Sequence, residues 1–250
     1  EVVDLGGRDL RTSGIVEGYP VRSFFGYKAN GIIRDASQLD IYKTGGFTKK
    51  GIGDIALMDI DGYDADGKLT GKPDGKVDAA DRTIIGNRRP DFTYGTVGTV
   101  SYKNWGLQVQ LQGVHGFDLS FQPAGDYSFV KLMSGLARNE DARVMNRYHP
   151  TKNPEGTWPR LMKDDRGNNS EMSDFWLARA SYLRVRNINL NYSLPQTVCS
   201  SLKLSSLSLY TSIQNAYTFT NYEGPEVDTT ADPTGVPQPR TWTLGFKATF

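Results

Sequence analysis

The last ten residues, TWTLGFKATF, place the tightest constraint on what this chain can fold into. Apolar side chains occupy every second position up to the end of the sequence: Trp242, Leu244, Phe246, Ala248 and Phe250. Strict alternation predicts a β-strand with one apolar face and one face in contact with water. This strand ends on an aromatic residue, whereas the ends of most domains are poorly ordered unless something holds them.

Four earlier segments, beginning near Phe92, Trp105, Tyr182 and Ser206, alternate in the same way. The apolar positions include Leu107, Val109, Leu209 and Ile213, and the polar positions include Gln108, Gln110, Ser208 and Gln214. We therefore predict five strands and no long helix. Residues 21–34 look extended without clean alternation, which predicts irregular β-structure within a long loop.

The third of these four segments changes phase part of the way along. Leu183 and Val185 share one face, but from Ile188 onward the other parity is apolar. A β-bulge near Asn187 accounts for such a slip. The polar face of this strand then carries two arginines, Arg184 and Arg186.

The links between the strands are unequal in length. The link around Asn104 and the link over residues 195–203 are short, whereas residues 120–175, residues 222–239 and most of the chain before Asp91 form long links. If the strands run up and down, both short links fall at one end and the long ones at the other. That asymmetry is typical of an outer-membrane barrel, with short periplasmic turns and long extracellular loops.

A soluble β-sandwich is the competing interpretation, because its strands also have one apolar face. Turns do not recur at the short, regular spacing of a sandwich, and the polar faces carry mostly small or amide side chains, as expected in a water-filled lumen. Aromatic residues also cap both ends of the apolar faces, as in interfacial girdles. They are Tyr102, Trp105, Tyr192 and Phe250 at the short-link end, and Phe92, Phe117, Phe219 and Trp242 at the other.

These observations predict an all-β fold made of antiparallel strands of a transmembrane β-barrel. Five strands do not close a large barrel, and an open edge inside lipid is prohibitive. Residues 1–250 are therefore predicted to be part of a barrel, about five to six strands with long extracellular loops. The first ten residues, EVVDLGGRDL, look like the tail of an earlier strand that runs into a loop.

Composition excludes several classes of function. The net charge of +1 argues against a nucleic-acid partner, and a single cysteine, Cys199, excludes an internal disulfide. The two histidines, His115 and His149, have no serine, cysteine or carboxylate pair at a diagnostic spacing. We therefore predict that the chain is not an enzyme.

Five motifs in order resemble those of SusC/RagA-type TonB-dependent outer-membrane transporters. They are GYPVRSFFGYKANGI (18–32), DGKVDAADRTIIGNRRPDFTYG (74–95), SYLRVRNINLNYSLP (181–195), QNAYTFTNYEGPEVD (214–228) and the closing PQPRTWTLGFKATF. The resemblance implies the C-terminal barrel segment of such a transporter, in the outer membrane of a Gram-negative cell. The plug and the N-terminal regions are not in this sequence.

The resemblance also implies partners and a function. The whole protein would import a glycan or peptide nutrient, with energy supplied through TonB acting on the absent N-terminal part. A SusD-like surface lipoprotein would close over the transporter, lipid would surround the barrel, and the barrel-assembly machinery would recognise Phe250. The alternative function, from another class, is a soluble calcium-stabilised β-sandwich that acts as a binding or adhesion module.

Six residues are candidates for contact with substrate. Trp158, Phe175, Trp176 and Tyr222 lie in or beside the long loops, which in this family surround the substrate, and Arg184 and Arg186 would line the passage. For each loop aromatic, packing of the loops against one another is the alternative role.

The acidic stretch at 59–81 predicts a structural calcium ion. The family pattern D-x-[DN]-G-D-G-x-x-D-x-x-D has the ligand spacing of an EF-hand loop, which wraps a hard cation in oxygen ligands. Here the ligands would be Asp59, Asp61, Asp74, the Lys76 carbonyl, Asp78 and Asp81. An insertion at 63–73 separates the two halves, and either it loops out or it destroys the site. A solvated acidic loop with Asp-Gly turns is the alternative.

Overall fold

A computed structural model describes residues 15–62, 64–66, 68–120, 142–160, 169–224, 226–228 and 238–250. The first ten residues, predicted as the tail of an earlier strand, lie outside this range. The chain divides into two compact units. The loop unit comprises the chain up to Arg89 and Asp118–Ala178, and the sheet unit comprises Pro90–Phe117, Arg179–Thr229 and Gly235–Phe250.

The described residues form eleven strands, most of them short. They are β1 (Ser23–Gly26), β2 (Ala29–Ile32), β3 (Ile55–Leu57), β4 (Thr83–Asn87), β5 (Phe92–Tyr102), β6 (Trp105–His115), β7 (Asp118–Ser120), β8 (Leu177–Arg179), β9 (Tyr182–Ser193), β10 (Ser206–Thr220) and β11 (Thr241–Thr249). The five long strands are the five that alternation predicted. They form one antiparallel sheet in the order β11-β10-β9-β6-β5.

The register of this sheet separates apolar from polar side chains. Leu107 pairs with Leu190 and Val109 with Ile188. One residue along, Gln108 pairs with Asn189 and Gln110 with Asn187. Directly paired residues lie on the same face of a sheet, so the pairing confirms that the apolar and the amide sets lie on opposite faces.

The predicted bulge in β9 is confirmed. Gln110 of β6 pairs with Asn187 and Leu111 with Val185, which leaves Arg186 unpaired. In β10 the register shifts at the same level, between Gln214 and Tyr217. The bulge is what moves the apolar set of β9 from one parity of the sequence to the other.

The apolar face of the sheet is largely uncovered by other described residues. Leu244 is 84% exposed and Phe246 is 72% exposed, and six of the aromatics predicted to cap this face are also exposed: Phe92, Tyr102, Trp105, Phe219, Trp242 and Phe250. Tyr192 is half-buried, with its ring 4.6 Å from that of Trp105. A face this apolar is normally covered by protein or by lipid.

One of the predicted capping aromatics is wrongly placed. Phe117 is only 3% exposed, and it lies just beyond the end of β6 rather than within it. Its carbonyl accepts a hydrogen bond from the Ala180 amide at 3.0 Å. Alternation has ended by this residue, so its ring is buried and does not belong to a girdle.

The loop unit has a hydrophobic core of its own, which the sequence did not predict. Short antiparallel pairs, β1 with β4 and β2 with β3, agree with the expected irregular β-structure of residues 21–34. Side chains from these strands and from the links between them are buried together: Tyr27, Ile32, Ile33, Tyr42, Ile55, Leu57, Val77 and Trp176. The described parts of the links before Asp91 and of residues 142–178 thus share one hydrophobic core.

A buried ionic network ties distant parts of the loop unit together. The Asp54 carboxylate is fully buried and accepts two hydrogen bonds from Arg160, at 2.8 and 2.9 Å. The side-chain amide of Asn169 donates a third at 3.1 Å. A buried charge that is paired and fully hydrogen-bonded in this way resists separation, because removing one partner strands the other.

Helices are short throughout the described chain. α1 spans Asp40–Thr44 and α2 spans Gln196–Ser201, and short 3₁₀ turns occur elsewhere. No helix of the described chain is long and apolar enough to cross a membrane. The buried Cys199 lies in α2, within the link that the sequence predicted to be a short turn.

Candidate functional site

The two halves of the acidic motif lie side by side in spite of the insertion at 63–73, and whether the insertion leaves a metal site intact stays untested. A Cβ atom added to Gly62 would lie 2.5 Å from the Cβ of Asp74, so the two halves of the motif touch directly and only glycine fits there. The excursion between them is closed by hydrogen bonds from the Thr70 amide to the Gly62 carbonyl and from the Asp64 amide to the Lys68 carbonyl.

Two carboxylates hold the rejoined halves together. Asp59 accepts hydrogen bonds from the amides of Asp74 and Gly75, at 3.2 and 2.7 Å. Asp81 accepts from the amides of Ile60 and Asp61 with one oxygen and from that of Asp78 with the other. The first and last acids of the motif therefore wrap the segment into a closed loop.

Asp81 is the most deeply buried of the predicted ligands, with no exposed surface. Burial raises the pKa of its carboxyl group, and the nearby Asp59 charge acts in the same direction. The amides of Asp78, Ile60 and Asp61 oppose this rise without cancelling it. The loop thus holds a carboxylate whose charge is disfavoured unless a positive charge lies nearby.

Lys76 supplies a positive charge at one side of the loop. Its ammonium lies 3.4 Å from the Asp74 carboxylate and 3.2 Å from that of Asp78. The hydrogen bond to Asp78 and the charge of Asp74 raise the pKa of Lys76. Sequence reasoning assigned a role to the carbonyl of this residue and missed its side chain.

The fit to calcium is therefore incomplete. The predicted ligands are all oxygen atoms, as calcium requires. However, the ammonium of Lys76 already lies against two of them, and the described residues contain no group of three or more histidine, cysteine or acidic side chains arranged to hold a metal ion. The calcium site stays a prediction.

The predicted loop aromatics pack against one another. The ring of Trp158 meets those of Phe175 and Trp176 edge to face, with centroid distances of 5.6 and 6.0 Å. Trp176 is fully buried, and its indole nitrogen donates to the Asn169 carbonyl at 2.8 Å. This geometry supports the packing alternative for these three residues.

Tyr222 is also buried, with 7% of its surface exposed. Its amide donates to the Thr220 hydroxyl at 3.0 Å, so the chain turns sharply as β10 ends. The ring is enclosed by the chain's own residues. Contact between this side chain and a substrate stays untested.

Arg184 and Arg186 hold the segment that follows β10. Arg184 is buried and forms an ion pair with Glu226, and its side chain also donates to the Thr218 hydroxyl at 2.9 Å. Arg186 lies 3.3 Å from the carboxylate of Asp228. The charge of Arg184 is thus neutralised within the chain, whereas the side chain of Arg186 remains 39% exposed.

Sequence reasoning missed Glu226 and Asp228. The sequence does carry a signal for them. The two acids are separated by one residue, as are the two arginines on one face of β9, so the acids and the arginines match each other in spacing. Burial tends to raise the pKa of Glu226, but the amides of Gln238 and Asp228 and the Arg184 guanidinium outweigh it and lower that pKa.

Phe250, the predicted assembly signal, follows the last residue of β11 and is 91% exposed. Its ring contributes to no core among the described residues. Phe250 therefore does not stabilise the described fold through core packing. Its role as an assembly signal stays a prediction.

Curated relatives match most of this chain. TonB-dependent receptor P3 of Formosa agariphila is 28% identical over 94% of the chain, and TonB-dependent receptor P39 of the same species is 30% identical over 69%. TonB-dependent receptor SusC of Bacteroides thetaiotaomicron is 25% identical over 75%. The chain spans 22%, 15% and 18% of these three proteins, respectively. No family model matches.

Solved structures show the same fold. A structure of the RagAB peptide transporter matches 96% of this chain with a TM-score of 0.68 and 23% identity. A structure of the RagAB peptide importer in the closed-closed state matches 97% with a TM-score of 0.66. The chain covers about a quarter of each matched chain, 24% and 25%.

The sheet and the relatives together define the class: the chain is part of the β-barrel of a TonB-dependent receptor. The proteins that it matches are named receptors and transporters, which agrees with the prediction that the chain is not an enzyme. Within that class it is a segment of the SusC/RagA type, as the five motifs indicated. Receptors of this type are outer-membrane proteins, which agrees with the predicted location.

Proposed function

We propose that this chain is part of an outer-membrane transporter that imports oligosaccharide or oligopeptide nutrients. Energy would reach the transporter through TonB, and a SusD-like surface lipoprotein would close over its extracellular side. The chain itself would supply five adjacent strands of the barrel wall and a folded loop unit. No bond is made or broken in this function.

One observation carries the proposal: the sheet has an uncovered apolar face and an amide-rich opposite face. Leu244 and Phe246 are among the most exposed apolar side chains of the chain. Lipid covers such a face in a barrel, while the polar face lines an aqueous lumen. Both edge strands, β5 and β11, also need partners, because unpaired backbone groups are costly inside lipid.

The same observation disfavours the soluble β-sandwich. In a sandwich the apolar faces of two sheets interdigitate and become the core of the domain. Here the side chains that would form that core are exposed, and no second sheet lies against them among the described residues. A chain with this face open to water would aggregate.

The comparisons support a nutrient as the cargo but do not identify its chemical class. Among the matched proteins, RagAB is named a peptide importer, and SusC is named a TonB-dependent receptor. Both oligosaccharides and oligopeptides therefore remain within the proposal. The lumen-facing amides of β6 and β9 suit either class, because an amide both donates and accepts hydrogen bonds.

Uptake by whole cells tests the proposal. Cells that make the full transporter are compared with cells that lack it, using fluorescent oligosaccharide and oligopeptide mixtures. We expect at least one mixture to accumulate only when both the transporter and TonB are present. Equal uptake of both mixtures by cells with and without the transporter would contradict the proposal.

A further inference from the structure

The loop unit contains a cavity of about 430 Å³ that shares only Asp78 with the predicted sites. Its walls include Tyr27, Phe47, Lys49, Arg82 and Glu171, and we call it the Arg82 cavity. Pockets that bind small ligands have volumes of about 300–1,000 Å³. The cavity is therefore large enough for one or two units of a sugar or peptide.

A close backbone contact shapes one wall of the cavity. A Cβ atom added to Gly45 would lie 1.7 Å from the Val77 carbonyl oxygen, so any side chain there would force the two segments apart. Gly46 follows with a φ of +97°, a conformation that glycine adopts without strain. The pair turns the chain so that Phe47 and Lys49 line the same cavity as Arg82.

Tyr27 fixes the orientation of the arginine. Arg82 donates a hydrogen bond from Nε to the Tyr27 hydroxyl at 3.0 Å, and its guanidinium lies 5.2 Å from the centre of the Tyr27 ring. The two terminal nitrogens, Nη1 and Nη2, donate no hydrogen bond to any described residue. The outer edge of this partly buried guanidinium faces Glu171 at 3.9 Å without a hydrogen bond, so it can still receive a planar anion in the two-pronged geometry that arginine favours.

The other charges of the cavity narrow the choice of ligand. Glu171 forms a long ion pair with Nη2 of Arg82 at 3.9 Å, a distance too great for a hydrogen bond. Asp78 is already engaged by the Ala80 amide and by Lys76. Lys49 is exposed at the cavity.

We propose that the Arg82 cavity binds a carboxylate group carried by a small oligomer. The fork of Arg82 would receive the carboxylate, and Lys49 would add positive charge. Glu171 would accept a hydrogen bond from a hydroxyl or amide N–H of the same ligand, and its negative charge disfavours multiply charged anions such as phosphate. The statement that this ligand is transported cargo rests on the proposed transport function. The statement that the cavity binds a carboxylate does not depend on that function.

Calorimetry on the purified full transporter in detergent tests the site. The probes are trigalacturonate and its methyl ester, and triglycine and triglycine amide, so that the two pairs separate a sugar carboxylate from a peptide carboxylate. We expect one carboxylate probe to bind and its neutral partner to bind at least about tenfold more weakly. No binding of either carboxylate at millimolar concentration, or equal binding within both pairs, would overturn the proposal.

Variants locate the binding. Arg82→Gln should abolish the preference for the carboxylate, and Arg88→Gln is the matched control, because Arg88 lies over the Phe24 ring outside the cavity. If Arg82→Gln does not fold, the variants Lys49→Gln and Glu171→Gln still test whether the carboxylate binds in this cavity. With acetate as the probe, the first should weaken binding and the second should strengthen it.

Equal acetate affinities in Lys49→Gln, Glu171→Gln and the unmodified protein would overturn the site. The outcome is independent of the transport assay, because binding in detergent requires neither TonB nor a membrane. If the full transporter takes up nutrients but does not bind the carboxylate probes, the proposed site is wrong and the proposed transport function stands. If the carboxylate probes bind but no nutrient is taken up, the proposed transport function is wrong and the proposed site stands.

Discussion

The guanidinium of Arg184 in β9 forms a buried ion pair with the carboxylate of Glu226, a residue beyond the end of β10. Two residues along each segment, Arg186 approaches Asp228 at 3.3 Å. The pairing fixes the segment after β10 against the polar face of β9. Residues proposed from sequence as substrate contacts thus serve at least partly to hold a loop.

Breaking this pair should destabilise the segment around Glu226. Arg184→Met removes the guanidinium that neutralises the buried Glu226 carboxylate, and we expect a cost of about 3–5 kcal/mol. Arg186→Met is the control, because its side chain is more exposed, and it should cost about 0–1 kcal/mol. Protease cleavage after β10, followed with thermal unfolding of the full transporter, measures both. Equal effects of the two variants would contradict the assignment.

The same pair predicts a dependence on pH. The folded pKa of Glu226 lies below its ordinary value of 4.5, so its charged form is favoured by folding. The resulting stability is present above pH 4.5 and is lost as the pH falls through the folded pKa. We expect cleavage after β10 to increase only in that acidic range. In Glu226→Gln the increase should be absent, and an unchanged pH profile in this variant would refute the assignment.

The sequence predicted the sheet well because alternation is a local signal. Each of the five strands, and the bulge near Asn187, follows from the period of apolar residues alone. The loop unit was not predicted, because its core joins short strands and links that are far apart in sequence and lack a period. The ring of Phe117 was misplaced for a related reason: alternation says nothing about a residue beyond the strand end.

Part of the candidate functional site could be predicted from the sequence, and part could not. The spacing of the acidic motif identified its two halves and left open whether the insertion keeps them together, and the structure places Gly62 against Asp74. The ammonium of Lys76 was not predicted, because a motif specifies the backbone at that position and not where a long side chain reaches. The Arg82 cavity is lined by four segments that are separated by many residues in the sequence, so no local pattern indicates it.

The proposed calcium site makes a quantitative prediction. Calcium should bind the chelator-treated transporter with a dissociation constant of about 10⁻⁵–10⁻³ M, as expected of a loop without paired helices. Lys76→Met should bind more tightly, because its ammonium no longer competes for Asp74 and Asp78, whereas Lys72→Met should not. Absence of binding at millimolar calcium, or binding unchanged in an Asp59→Ala/Asp81→Ala double variant, would remove the site.

Phe250 is predicted to act during assembly and not in the folded barrel. Phe250→Asp should lower the amount of transporter in the outer membrane, whereas Phe250→Tyr should not, since it keeps an aromatic end. Because the ring is 91% exposed, the thermal stability of the protein that does assemble should be unchanged. Normal surface levels of Phe250→Asp would rule out this role.

The central claim is that the apolar face of the sheet contacts lipid and the amide face lines the lumen. Spin labels at positions 107, 108, 109 and 110 of β6, in a Cys199→Ala background, test it most directly in the full transporter in liposomes. We predict that labels at 107 and 109 are accessible to oxygen dissolved in the bilayer, and that labels at 108 and 110 are accessible to a water-soluble nickel reagent. The opposite pattern, or four labels equally accessible to the nickel reagent, would contradict the account.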